Sequence, residues 1–71
     1  MKPTNKDIGK LVKLKENKKE GWPEQKGKFL GIYKHNPTVG MIELLPEFRD
    51  NYYGIDDGLR ECGMDNWELI L

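Results

Sequence analysis

The chain is predicted to fold as one small all-β domain: a barrel of five short strands with two long loops and a short 3₁₀ turn before the last strand. Three observations predict it. Apolar and polar residues alternate with period two in short runs. Clusters of Gly, Pro, Asn and charged residues separate those runs. The 71 residues suffice for a single core, and closure hides edges that an open sheet this small would leave bare.

Residues 1–7 read as an N-terminal extension and residues 8–71 as the barrel domain. In "DIGKLVKLKE" Ile8, Val12 and Leu14 share one face and Leu11, Lys13 and Lys15 the other, so this is a half-buried first strand. "NKKEGWPEQKG" is a loop by composition. "KFLGIYKH" is the second strand, with Leu30 and Ile32 on one face and Phe29, Gly31 and Tyr33 on the other. Gly31 in mid-strand predicts a bulge or bend. "NPT" supplies a turn, because Pro37 presets the φ that a turn needs. "TVGMIELL" is the third strand and "PEFRDNYYGIDDG" the second long loop. "LREC" is the fourth strand, "GMDN" the 3₁₀ turn and "WELIL" the fifth strand. A rival helix over 55–62 places Ile55, Leu59 and Cys62 at helical spacing. Gly58 and Gly63 count against it, at about 1 kcal/mol each relative to Ala. The expected core is Ile8, Val12, Leu14, Leu30, Ile32, Met41, Ile42, Leu44, Leu59, Trp67, Leu69 and Ile70.

The single Cys62 rules out a disulfide within the chain and suits a reducing cytoplasm; it reads as a packing residue. "MKPTNK" has no apolar run behind it, and no run approaches the ~20 residues of a spanning helix. A cytoplasmic protein without membrane contact is expected. Net charge is zero, yet residues 1–35 carry ten lysines against four acids, a formal +6, and residues 36–71 carry −6. Such polarity can offer a basic face to anionic partners and an acidic face to basic ones. It also allows self-association into a homo-oligomer.

No group of residues points to catalysis. His35 has no neighbouring Cys or second His to form a zinc set. The three Asp of "DNYYGIDDG" lack the alternate spacing of a calcium loop. No phosphate-cradling glycine motif is present. The expectation is a non-enzymatic binding module with no cofactor and no metal. Its partner is expected to be a protein, held by loop aromatics and acids: Trp22, Tyr52, Tyr53, Asp56 and Asp57. The alternative is nucleic acid, bound through Lys13, Lys15, Lys18, Lys19 and Lys28, with Tyr33 to stack on bases.

The five-strand layout, with long loops after strands one and three, resembles an SH3-like barrel, as does the ending "MDNWELI". "KGKFLGIY" is similar to the strand start of ribosome-associated KOW modules, RNA binders of the same barrel class. "GKFLGIYKHN", the Gly-containing strand after it and "ELIL" resemble the plasmid-borne type II dihydrofolate reductases, homotetrameric SH3-like barrels around a central pore. That likeness covers roughly residues 9–70 and is firmest at Gly27, Gly31, Tyr33, Asn36 and the C-terminal strand. It implies the fold and not the activity. The family's Val-Gln-Ile-Tyr pore segment falls on Leu59–Cys62, so Arg60, Glu61 and Cys62 replace its last three residues. Its first-strand lysine falls at Leu14, next to Lys15. A ring of Glu61 would repel an anionic cofactor. The expected role is a small interaction or inhibitor protein of bacterial, phage or plasmid type.

Overall fold

Strand β1 (Leu11–Leu14) is followed by the two longest strands, β2 (Lys26–Tyr33) and β3 (Asn36–Leu44), and then by β4 (Leu59–Gly63) and β5 (Trp67–Leu69). They form one antiparallel sheet of order β4-β3-β2-β1-β5 in a computed structural model that describes residues 2–50 and 54–70. The fold is all-β, as the sequence predicts, and its element order is that of the predicted barrel. Edge strands β4 and β5 do not pair with each other, so the barrel is open along that seam. A 3₁₀ turn, Met64–Asn66, carries the chain across it. Among the described residues two further 3₁₀ turns form, Asn5–Asp7 and Pro46–Phe48, which the sequence alone does not indicate. The rival helix is absent: residues 59–63 are strand.

The β2–β3 hairpin turns two residues earlier than predicted. Tyr33 pairs with Asn36, which leaves Lys34 and His35 as the two turn residues. Asn36 then begins β3, and its Oδ1 accepts from the Thr38 hydroxyl at 2.7 Å. The side-chain amide therefore stabilises the strand entry rather than a turn at Pro37.

Gly31 makes the predicted bulge, and the bulge overturns the predicted facing of β2. Phe29 lies opposite Ile42 and Gly31 opposite Met41, so Leu30 is the extra residue. Gly31 has φ +138°, a backbone region that side chains disfavour. One added residue shifts the alternation by a step. Phe29 and Ile32 thus reach the same inner side: Phe29 is fully buried and Ile32 packs on the core.

The core is Val12, Phe29, Ile42, Leu44, Met64 and Trp67. Trp67 is buried, as its strand position predicts. Ile8, Leu59 and Ile70 were expected inside but are exposed. Met64 went unpredicted because a 3₁₀ turn has no two-residue period to reveal it. Its thioether lies against Gly40: a Cβ there would sit 2.8 Å from Met64 Sδ and 2.8 Å from the Gly31 carbonyl oxygen. Gly40→Ala is therefore expected to destabilise by about 1–3 kcal/mol through overpacking. Thermal unfolding checks this, and an unchanged midpoint would contradict the close approach.

The first residues are part of the packing. Thr4 and Asp7 form a capping box, with the Thr4 N–H donating to Asp7 Oδ2 at 2.8 Å. The Asn5 side chain accepts from the Ile32 N–H at 2.9 Å, which ties this segment to the bulge. Pro3 and Asp7 are buried.

Candidate functional site

The loop from Lys15 to Gln25 is organised by Asn17. Its carbonyl accepts from the Gly21 N–H at 2.9 Å and the Trp22 N–H at 3.2 Å, and its Oδ1 accepts from the Glu20 N–H at 2.9 Å. These bonds close a local turn and deliver Trp22-Pro23 back toward the barrel. Two backbone bonds pin the base of the loop. The Leu14 N–H donates to the Gln25 carbonyl at 2.9 Å, and the Lys15 N–H donates to the Asn66 carbonyl at 2.8 Å. The second bond seats the loop against the 3₁₀ turn at the open seam.

Trp22 stands between two depressions and is 37% exposed. On one side, a groove of about 300 Å³ has Leu14, Pro23, Cys62 and Trp67 among its lining, with Gln25 and Asn66 beside them. On the other side, a groove of about 400 Å³ is lined by Lys13, Lys15, Glu16, Glu24 and Glu68 as well as Leu14, Trp22 and Pro23. Together they make a trough at Leu14, Trp22 and Pro23, which both grooves share, more apolar on one side and charged on the other.

The rim is mixed in sign. Lys13 lies opposite Glu68 in the β1–β5 register, with Nζ 3.6 Å from its carboxylate. Lys26 meets Glu24 at 3.3 Å, and Lys18 meets Glu16 at 4.0 Å. Lys2 reaches across the chain halves to Asp65 at 2.9 Å. The sequence polarity is therefore interleaved by folding, because β5 lies beside β1. Exposed pairs of this kind add little stability, but they divide the lysine charge. Lys18 and Lys19 sit on the loop tip, Lys28 on the outer sheet face and Tyr33 at the far end of β2 beside Glu61. Of the lysines proposed for nucleic acid, only Lys13 and Lys15 line the trough with Trp22.

The acidic candidates lie elsewhere. Tyr52 and Tyr53 are outside the described residues. Asp56 holds its own loop together: Arg60 donates to it with both Nη atoms, Nη1 to Oδ1 at 3.0 Å, and it also accepts from the Asp50 N–H at 2.9 Å and the Gly58 N–H at 2.8 Å. These donors, Arg60 foremost, hold the Asp56 carboxyl well below the usual carboxylate range. Asp57 is exposed and accepts from the Leu59 N–H at 2.9 Å. Asp56 lines a separate depression with Asp50, Gly54 and Ile55, which shares no residue with the trough at Trp22.

No protein-family model, curated protein or solved structure matches this chain. Among the described residues, no three His, Cys, Asp or Glu side chains gather as a metal ion would require. No helix among them is long and apolar enough to cross a membrane. Burial pushes the Cys62 thiol up, so at neutral pH it presents a neutral, weakly polar surface to the groove. The sequence alone marks Trp22 but not Leu14, Gln25, Cys62 or Asn66 as its neighbours. The Gly-Trp-Pro run marks an aromatic on a turn. Nothing local marks Asn66, which meets the loop only through tertiary pairing.

The Asp56 clamp predicts an acid sensitivity. Its folded pKa lies below the unfolded value of about 3.9, so the charged form favours the folded state. The stabilisation is present above that unfolded value and is lost as pH falls through the lower, folded one. Asp56→Asn removes this titration. Denaturant unfolding between neutral and strongly acidic pH is expected to show a smaller acid loss in Asp56→Asn than in wild type. Parallel pH profiles would show that the Arg60 pair does not tune stability.

Proposed function

We propose that this chain is a non-enzymatic binding module, an SH3-like barrel that holds an extended segment of a partner protein in the trough at Trp22. One observation carries the reading: the exposed Trp22-Pro23 pair is shared by two adjoining open grooves, one of them lined by Leu14, Cys62 and Trp67. Aromatic anchors of this kind dominate protein interfaces. An extended chain needs hydrogen-bonding groups beside apolar pockets, and the polar residues Gln25 and Asn66 line the groove with Leu14 and Cys62. The resemblance to SH3-like barrels agrees with a loop-built site. The resemblance to type II dihydrofolate reductases supports the barrel shape and no reductase chemistry.

The test is a tagged pull-down from bacterial lysate with and without nuclease, run in parallel on wild type and Trp22→Ala. A discrete protein that survives nuclease and is lost with Trp22→Ala supports the proposal. A protein retained equally by both chains would place its contact away from the trough.

Nucleic acid is the second reading, favoured by Lys13 and Lys15 beside Trp22. Glu16, Glu24 and Glu68 line the same groove and would repel a phosphate backbone. That reading expects steep salt dependence and loss on neutralising Lys13 and Lys15. Binding that is nearly flat with salt would exclude it.

A further inference from the structure

The edge of β4 is bare where it meets the trough. The Leu44 N–H donates to the Gly58 carbonyl at 2.8 Å, in line with the register Ile42↔Arg60 and Gly40↔Cys62. Bonded and non-bonded pairs alternate in an antiparallel ladder, so Arg60 and Cys62 direct their N–H and C=O groups to β3. Leu59, Glu61 and Gly63 direct theirs to the other side, where no strand pairs with β4. One end of this edge is closed by local side chains. The Leu59 N–H donates to Asp57 Oδ1 at 2.9 Å, and its carbonyl accepts from Arg60 Nη1 at 3.0 Å. The other end is not. Among the described residues, the N–H and C=O of Glu61 and the N–H of Gly63 have no partner on that side. Both residues are exposed. Proteins guard bare edges because they invite a further strand. Here the guard stops short of the segment that enters the groove, where Cys62 and Gly63 join Leu14, Trp22 and Trp67. The β5 edge offers less, since the Trp67 N–H already donates to the Met64 carbonyl.

We propose that the partner segment held at Trp22 binds as an added β-strand, with its backbone paired to Glu61 and Gly63 along the edge of β4. This rests on the reading of the trough as the site of an extended segment, and it states how that segment is gripped. The edge groups define the chemistry of the occupant. Donors and an acceptor on residues two apart match the alternate peptide groups of an extended chain. A phosphate backbone offers acceptors and no donor for the Glu61 carbonyl. Side chains at the same register of paired strands point to the same side of a sheet. The partner residue beside Cys62 therefore faces the groove with Leu14 and Trp67, and it is expected to be apolar.

The probe is a displayed library of short random peptides, selected on the wild-type chain. Two variants then separate the donor from the shape of the edge. Gly63 has φ −68°, which proline adopts, and a Cβ there would meet nothing closer than Asn66 Nδ2 at 3.8 Å. Gly63→Pro thus fits the fold and removes the N–H, while Gly63→Ala fits and keeps it. Selected peptides are expected to bind Gly63→Ala within about threefold of wild type and Gly63→Pro at least about tenfold more weakly. N-methylation along the best peptide, tested on the wild-type chain, is expected to weaken binding at every second residue. That scan decides the matter without any folded variant. Equal binding to the two Gly63 variants, or N-methylation effects without a two-residue period, overturns the added strand. If such peptides are still lost with Trp22→Ala, the trough reading stands without it. Peptides that need the Gly63 N–H and ignore Trp22→Ala support the strand and overturn the trough reading. A library that yields no binder overturns both.

Discussion

Phe29→Ala is expected to cost about 3–5 kcal/mol of folding free energy, the range for deleting a buried aromatic side chain. Phe29 is fully buried, faces Ile42 across the β2–β3 pair and immediately precedes the bulge. Its ring has no route to solvent, and the bulge restrains the backbone from closing over the cavity. A domain of this size sits near the low end of the usual 5–15 kcal/mol. The loss is therefore comparable to the whole stability, and much of the variant is expected to be unfolded at room temperature. Leu30→Ala is the control. Leu30 is the bulged, half-buried residue on the opposite side, so its truncation is expected to cost well under half as much. Urea unfolding of both variants decides the matter, and a larger loss for Leu30→Ala would place the wrong face of β2 inside.

Trp22→Ala is expected to weaken partner binding by about 2 kcal/mol or more, roughly thirtyfold, as for an aromatic anchor at an interface centre. Folding should change far less, because Trp22 is 37% exposed and lies outside the buried core. Trp67→Ala should do the reverse and unfold the chain, since Trp67 is 3% exposed within that core. Lys18→Gln and Lys19→Gln should leave the affinity nearly unaltered, because both residues sit on the loop tip away from the trough. Titration calorimetry with the captured partner, paired with thermal unfolding, separates the two effects. Equal losses of affinity and stability in Trp22→Ala would make Trp22 a structural cap. Loss with the lysines would move the site to the charged loop and toward nucleic acid.

The sequence by itself determined the all-β class, the order of five strands, the two long loops, the 3₁₀ turn before the last strand and the bulge at Gly31. These are legible because alternation and turn chemistry act over a few residues. Only the tertiary structure decided which side of β2 faces the core, because one extra residue at Leu30 inverts the pattern on one side of the bulge. Tertiary pairing alone brought Met64 onto Gly40 and placed β5 beside β1. That adjacency sets Glu68 against Lys13 and dissolves the charge polarity that the linear sequence displays. It also carries the Trp22 loop to Asn66 and Trp67. Each of these facts depends on residues distant in the chain, whose proximity is set by strand order and register, and no local pattern encodes either.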